Sequence, residues 1–137
     1  MVACLRRASW RSPRRDCGRT GWSSFFAHVQ FHNNTSAGHS AALLKANLTQ
    51  EQREQYEGSG YFDVIGGTSG KCYRIWRGFQ MNVQLLDNNG KHLHWLCFTP
   101  QGHLPVSDVV LAQKIALEVF EEGVIRIANR MSAQYRR

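Results

Sequence analysis

A chain of 137 residues, of which 42% are hydrophobic, is long enough for one domain with its own core and a tail. No run of about 18 apolar residues occurs, so the sequence predicts no transmembrane helix and no membrane partner. The formal charge of +7 would indicate nucleic-acid binding, but it is unevenly divided. Residues 1–50 hold seven bases and one acid, whereas residues 51–137 hold ten bases and nine acids. The second part is nearly neutral, and the net charge does not identify its partners.

Residues 1–45 form a basic leader that is rich in Arg, Ser, Gly and Trp and lacks helical or strand periodicity. Three interpretations fit this composition. They are a start codon set too early, a disordered arm that binds phosphates, and a mitochondrial transit peptide. The composition favours the first two. A folded domain is predicted over residues 46–137.

The four cysteines, Cys4, Cys17, Cys72 and Cys97, form no CxxC pair and no dense framework. This pattern predicts free thiols and a cytoplasmic protein. A disulfide between Cys72 and Cys97 stays open as an alternative, because adjacent strands could bring the two together.

The domain begins with a short predicted helix, about residues 50–57. Thr49 with Gln52 three residues later is a capping-box pattern, and Gly58 and Gly60 end the helix.

Strand signals with turn residues between them follow the helix. The apolar runs are YFDVI, CYRIW, QMNVQLL and KHLHWLCF, and the turns between them are GGTSGK, RGF and DNNG. The DNNG turn favours a tight hairpin spanning Gln80 to Phe98, because these residue types accept positive φ angles. The sequence therefore predicts a meander of three or four antiparallel strands.

A long amphipathic helix is predicted after the strands, capped by Ser107 or Asp108 and bent or split at Gly123. Its apolar face is predicted to consist of Val109, Val110, Ala112, Ala116, Leu117, Val119, Phe120, Val124, Ile127 and Ala128. Its polar face is predicted to consist of Lys114, Glu118, Glu121 and Glu122. The fold class is thus α+β, with this C-terminal helix packed on the sheet.

The strand KHLHWLCF concentrates residues that could carry chemistry. Alternation predicts that Leu93, Trp95 and Cys97 face the core beneath the long helix, and that His92, His94, Leu96 and Phe98 face the other way. Two histidines on one face could chelate a metal ion, with His103 as a third ligand. No carboxylate or thiolate stands at a matching spacing, so a half-buried strand is favoured over a metal site.

Enzyme chemistry has little support in the sequence. A Cys97–His103 nucleophile pair needs a thiol in a cleft, but Cys97 is predicted to be buried. Cys72 is predicted to be partly exposed, with no catalytic surroundings. The glycines of GGTSGK lack the spacing of a phosphate-binding P-loop, so a turn is the simpler interpretation. Neither an enzymatic activity nor a cofactor is predicted.

The stretch CYRIWRGF interleaves arginines with aromatic residues. Arg74, Trp76 and Arg77 could form a platform that stacks on single-stranded nucleic acid or anchors a protein. The competing interpretation is that the rings fill the core and the arginines are solvated.

From about Tyr61 to Arg130 the chain resembles a group of short proteins of bacterial genomes and prophages whose function is not established. The resemblance is carried by YRIWRG, NVQLLDNNG, LCFTPQGHLPVSDVVLAQKIALEVFE and IAN. Ser107 stands where that group often has a glycine. The resemblance implies a bacterial or prophage origin and no particular activity.

These observations together predict a small, soluble, non-enzymatic binding module. Its partner, a protein or a nucleic acid, would be engaged through the sheet face near Arg74, Trp76 and Arg77. The alternative is a metal-binding domain that uses the His-x-His pair. The oligomeric state is left open.

Overall fold

The computed structural model describes residues 35–135. The predictions made for residues 1–34 lie outside the described residues. The elements, in chain order, are α1 (Ser36–Asn47), α2 (Gln50–Ser59), β1 (Tyr61–Ile65), β2 (Cys72–Trp76), β3 (Val83–Leu86), β4 (His92–Cys97), α3 (Val106–Val119), α4 (Glu121–Ile127), β5 (Asn129–Ser132) and a 3-10 turn (Ala133–Tyr135).

The five strands form one antiparallel sheet in the order β1-β2-β3-β4-β5. The α+β class and the antiparallel meander are confirmed, with five strands where three or four were predicted. The additional strand, β5, begins at Asn129, within the segment that was predicted to be the end of the long helix.

Helix α1 begins inside the segment that was assigned to the leader. Thr35 is its N-cap, and the Thr35 side chain accepts a hydrogen bond of 3.2 Å from the backbone N–H of Gly38. Leu44 of this helix is only 1% exposed and belongs to the hydrophobic core. The part of the leader from residue 36 onward is therefore part of the folded domain.

The helices and the sheet share one core. Strand residues of the core lie on one side of the sheet, here called the inner face: Phe62, Val64, Tyr73, Ile75, Val83 and Leu96. The helices, together with the link between α1 and α2, contribute Leu44, Leu48, Tyr56, Val110, Leu111, Leu117 and Val124 to the same cluster. The opposite side, the outer face, carries the alternate residues of the strands: Tyr61, Asp63, Arg74, Trp76, Gln84 and Trp95. None of the helices in residues 35–135 combines the length and the apolar character that crossing a membrane requires.

The long C-terminal helix is broken in two at Phe120, three residues before the predicted break point. Phe120 has φ −127° and ψ 34°, so α3 ends there and α4 starts in a new direction. The change of direction exposes Val119 and Phe120, which were predicted to face the core, and buries Glu121 to 3% exposure. The predicted burial is therefore wrong at Val119, Phe120 and Glu121, whereas Val124 is buried as predicted.

The apolar and polar assignments around the break are corrected at further positions. Ile127 is exposed rather than buried, and Lys114 is buried rather than solvated, with its ammonium held by Glu118 at 2.7 Å. The N-cap of α3 is Pro105, which has no side-chain acceptor, and neither Ser107 nor Asp108 fills that role.

A buried amide pair joins the sheet to α3. Asn82 and Gln113, 4% and 1% exposed, each donate a side-chain hydrogen bond to the other, at 2.7 and 2.9 Å. The remaining donors of the two amides bond to the carbonyl oxygens of Trp76, Gly78 and Phe98. The pair is fully satisfied, so its burial is compatible with a stable core.

The capping box of α2 is confirmed. The Thr49 hydroxyl accepts from the Gln52 N–H, the Gln52 side chain accepts from the Thr49 N–H, and the helix ends at Gly60 with φ 75°. Replacing Thr49 with alanine should lower the free energy of unfolding by about 1 kcal/mol, because the backbone N–H of Gln52 loses its acceptor. Urea denaturation measures this loss. Thr49→Ser, which keeps the hydroxyl, should retain most of the stability; equal losses in both variants would contradict a role for the cap.

Candidate functional site

The histidine strand β4 is arranged differently from the prediction. Leu96 is 1% exposed and lies on the inner face, whereas Leu93 is 40% exposed. Trp95 is buried, but on the outer face, where its ring meets that of His92 with centroids 4.7 Å apart. Cys97 is half-buried. The prediction that Leu93, Trp95 and Cys97 lie beneath the long helix is wrong.

An irregularity in strand pairing separates the two histidines. His94 pairs with Leu85 of the inner face and His92 pairs with Leu86 of the outer face, because the register between β3 and β4 shifts at this point. The two imidazoles therefore lie on opposite faces and cannot act as one chelate. Within residues 35–135, no group of three or more His, Cys, Asp or Glu side chains is arranged to hold a metal ion. The metal-binding alternative thus loses the geometry on which it depended.

The cysteines also depart from the prediction. Cys97 is a free thiol, so the alternative of a Cys72–Cys97 disulfide is wrong. Cys72 is disulfide-bonded and 6% exposed, so it is neither the free nor the partly exposed thiol that was predicted.

Two of the three predicted binding residues come together on the outer face, with a third side chain that was not predicted. The rings of Tyr61 and Trp76 lie 4.7 Å apart, and the Arg74 guanidinium carbon lies 4.1 Å from the centre of the Tyr61 ring. All three side chains are partly exposed. They are called the aromatic platform below.

Hydrogen bonds hold the platform in place. Arg74 donates two hydrogen bonds to Asp63, at 2.8 and 3.0 Å, and Trp76 Nε1 donates to Gln84 Oε1 at 2.9 Å. The bond to Asp63 is the largest influence on the Arg74 guanidinium and raises its pKa further. The positive charge of the platform is therefore neutralised within the fold, and hydrogen bonds within the protein hold its side chains in place.

Arg77 lies apart from the platform. Its guanidinium lies 4.7 Å from the centre of the Tyr56 ring and donates to the Tyr56 hydroxyl at 3.3 Å. Tyr56 belongs to α2 and to the inner core, so Arg77 covers the helix side of the molecule. The predicted group of Arg74, Trp76 and Arg77 is thus divided between two surfaces.

The glycine-rich turn, residues 66–71, holds an anion supplied by the protein itself. Glu121 Oε2 accepts hydrogen bonds from the backbone N–H groups of Thr68 and Ser69 at 2.8 and 2.7 Å. Glu121 Oε1 accepts from the hydroxyl groups of Ser69 and Tyr73, the latter at 2.7 Å. The turn and this carboxylate are called the Glu121 loop below. All four strong acceptor positions of the carboxylate are occupied.

The protonation states of the Glu121 loop follow from these bonds. Burial is the largest single influence on Glu121 and raises its pKa, but the hydrogen bonds from Ser69, Tyr73 and Thr68 together lower the pKa below its usual 4.5. Burial, followed by the bond to Glu121, raises the pKa of the Tyr73 hydroxyl well above its ordinary value. At neutral pH the pair is therefore a carboxylate and a neutral phenol.

Two glycines allow the loop to pack closely against the Glu121 side chain and the end of α3. A Cβ atom on Gly66 would overlap the Glu121 carboxylate, and one on Gly67 would overlap the carbonyl oxygen of Glu118. The Gly67 N–H donates to the carbonyl oxygen of Leu117 at 3.1 Å. The loop is therefore packed directly against the end of α3, and the interpretation of GGTSGK as a turn is confirmed.

The chemistry available to these groups is limited. Glu121 is ionised but saturated with donors, and Tyr73 keeps its proton, so neither is suited to accept a proton from a substrate. Within residues 35–135, no hydrogen bond joins Cys97 to a histidine, as an activated thiol would require.

Sequence reasoning missed two residues of these sites. Tyr61 could have been found, since pairing YFDVI with CYRIW across a tight turn places Tyr61 opposite Trp76. Glu121 could not, because helical periodicity placed it on a solvated face.

No protein-family model, no curated protein and no solved structure matches the chain.

Proposed function

We propose that the protein is a non-enzymatic binding module that engages a protein partner through the outer face of the sheet. The aromatic platform of Tyr61, Arg74 and Trp76 is the observation that carries this proposal. Tryptophan, tyrosine and arginine are the side chains that most often contribute large shares of binding energy at protein interfaces. The resemblance to bacterial and prophage proteins implies that such a partner would be sought among bacterial or phage proteins.

The platform is already ordered, which supports a binding role. A side chain that must be immobilised on binding costs about 0.5–1.5 kcal/mol in lost rotamer freedom. Arg74 is fixed by Asp63 and Trp76 by Gln84, so this cost has been met in folding. Ile65, 47% exposed at the far end of β1, adds a separate apolar side chain to the same face.

Charge favours a protein over a nucleic acid as the partner. Binding to phosphates depends on cations that are free to neutralise them, and affinity then falls steeply with salt. Arg74 is neutralised by Asp63, and Arg77 is on the other side of the sheet. A partner with apolar groups and hydrogen-bonding groups matches the platform better than a phosphate backbone does.

Binding through the face is also favoured over strand addition at β1. The backbone N–H of Asp63 donates to the Gln55 side chain at 3.0 Å, and its carbonyl oxygen accepts from Gln52 at 2.8 Å. Side chains of α2 thus occupy the free hydrogen-bonding groups at the middle of this edge.

Trp76→Ala tests the proposal. With a purified partner, the substitution should weaken binding by about 30-fold or more, as expected for a central aromatic anchor. Phe79→Ala, which removes an aromatic side chain that is 51% exposed outside the platform, is the matched control and should change affinity less than threefold. Titration calorimetry measures both, and circular dichroism confirms that each variant is folded.

Two outcomes would contradict the proposal. Equal losses in both variants would show that the platform is not the contact surface. Binding of a fluorescent single-stranded oligonucleotide that depends on Trp76 would keep the surface but replace the protein partner with a nucleic acid.

A further inference from the structure

A hollow of about 380 Å³ lies between α4, β5 and the inner face of the sheet, away from the aromatic platform. Its floor consists of Tyr73, Leu85 and Leu96, which come from three neighbouring strands, and Ile125 of α4 forms one wall. This volume is at the lower end of the range for small-molecule sites, which are typically concave and mostly apolar.

The rim of the hollow carries positively charged side chains that the fold does not neutralise with ion pairs. Lys71, Arg126 and Arg130 are exposed side chains that line it. Within residues 35–135 none of the three forms an ion pair, and the only side-chain hydrogen bond among them is a long one, 3.5 Å, from Arg130 to the carbonyl oxygen of Ile125. This contrasts with Arg74 and Lys114, each of which is held by a carboxylate.

Two carboxylates also line the hollow, but they differ in how far they can neutralise the cations of the rim. Glu121 is 3% exposed and has its acceptor positions filled by the Glu121 loop, so it cannot take up the rim cations as hydrogen-bond partners. Glu122 is exposed and makes no ion pair within the described part of the chain. The lining therefore holds three cations against two acids, and His94 adds a further hydrogen-bonding group.

We infer that this hollow binds a small molecule that joins an oxyanion head, a carboxylate or a phosphate monoester, to an apolar body of about one ring. Arg126, Arg130 and Lys71 bind the head by charge-assisted hydrogen bonds. The body lies against Leu85 and Ile125, the half-buried apolar side chains of the lining, where it loses contact with water. Leu96 and Tyr73, each 1% exposed, form the buried floor beneath it, and the Tyr73 hydroxyl is already bonded to Glu121.

Four probes test each part of this proposal on the full chain. Phenyl phosphate and benzoate carry both head and body, inorganic phosphate carries the head alone, and benzylamine carries the body with the opposite charge. We expect phenyl phosphate or benzoate to bind with a Kd below about 1 mM and inorganic phosphate about tenfold more weakly, with no binding of benzylamine. Amide chemical-shift changes should be located at residues 68–73 and 121–130. Whichever of the two aromatic anions binds more tightly identifies the head.

Substitutions at the rim locate the head. Arg126→Gln and Arg130→Gln should each weaken the tighter aromatic anion by about tenfold. Both side chains are exposed, so the thermal midpoint should be unchanged. Arg53→Gln, which removes an exposed arginine of α2 outside the hollow, is the matched control and should leave affinity unchanged. Benzylamine binding as tightly as the anions, no anion binding at about 10 mM, or equal effects of Arg53→Gln and Arg130→Gln would each overturn the proposal.

Discussion

Glu121→Ala is expected to lower the free energy of unfolding by about 3–5 kcal/mol, one of the two largest effects that the structure predicts. The substitution leaves two backbone N–H groups and the hydroxyl groups of Ser69 and Tyr73 without their acceptor. A buried donor without a partner costs about 1–3 kcal/mol, and water entering the space left by the side chain recovers part of the loss. Urea denaturation at neutral pH measures the change.

Glu121→Gln removes the charge of the side chain but keeps its shape. It should lower the free energy of unfolding by less, about 1–2 kcal/mol. Its amide oxygen can accept from the backbone N–H groups of Thr68 and Ser69. Its NH₂ group then faces the two hydroxyl groups, which can rotate to accept. Glu122→Ala, at the exposed neighbouring position, is the control and should change stability by no more than about 0.5 kcal/mol. Similar losses for Glu121→Ala and Glu122→Ala would contradict the anchoring role of the carboxylate.

The same carboxylate gives stability a defined dependence on pH. The pKa of Glu121 is lowered in the folded state relative to its usual 4.5, so the folded state favours the ionised form. The stability that it contributes is present above pH 4.5 and is lost as the pH falls through the lowered folded pKa. The difference in unfolding free energy between the wild type and Glu121→Gln should therefore shrink on acidification to about pH 3. A difference that stays constant would show that the charge of Glu121 is not what the loop binds.

Local sequence signals predicted the elements that local interactions form. The capping box of Thr49 and Gln52 is present as predicted, because both partners lie within one helical turn. The DNNG hairpin is present for the same reason: Asp87 accepts from the N–H groups of Asn89 and Lys91, and Gly90 takes φ 79°. Such signals need no knowledge of the rest of the chain.

The predictions from sequence failed where segments that are far apart in the chain meet in the fold. Leu93 and Leu96 are equally apolar, so alternation alone could not decide which face of β4 meets the helices, and the shifted register at Leu85 and Leu86 separated the two histidines. The break at Phe120 was not visible either, because the apolar period continues across it. The carboxylate that fills the glycine-rich turn lies 52 residues beyond Ser69 in the chain, and no spacing rule connects them.

The Glu121 loop also explains why GGTSGK resembles a phosphate-binding loop without its spacing. Consecutive backbone N–H groups in a turn form a concavity that attracts anions. Here the anion is an internal carboxylate, so the turn joins β1 and β2 to α4 rather than to a ligand. In our two proposals, ligands bind instead through side chains of the platform and of the cationic rim.

Gly67→Ala should lower the free energy of unfolding by about 3 kcal/mol or more, at the upper end of the effects of overpacking. The added methyl group would overlap the carbonyl oxygen of Glu118, which is backbone and cannot rotate away. Relief requires the loop to move off α3, which breaks the Gly67–Leu117 hydrogen bond and disturbs the bonds to Glu121. Gly58→Ala is the control: Gly58 is helical with no atom within 4 Å of an added Cβ, and alanine there should stabilise by about 0.5–1 kcal/mol.

The two substitutions therefore have opposite signs, although each adds one methyl group to a glycine. A Gly67→Ala protein as stable as the wild type would show that the loop does not rest on the end of α3. Combining Gly67→Ala with Glu121→Ala gives a second check, because both act on the same contact. The double variant should lose less stability than the sum of the single losses, by about 0.5–3 kcal/mol, whereas strict additivity would mean that the loop and the carboxylate stabilise the fold independently.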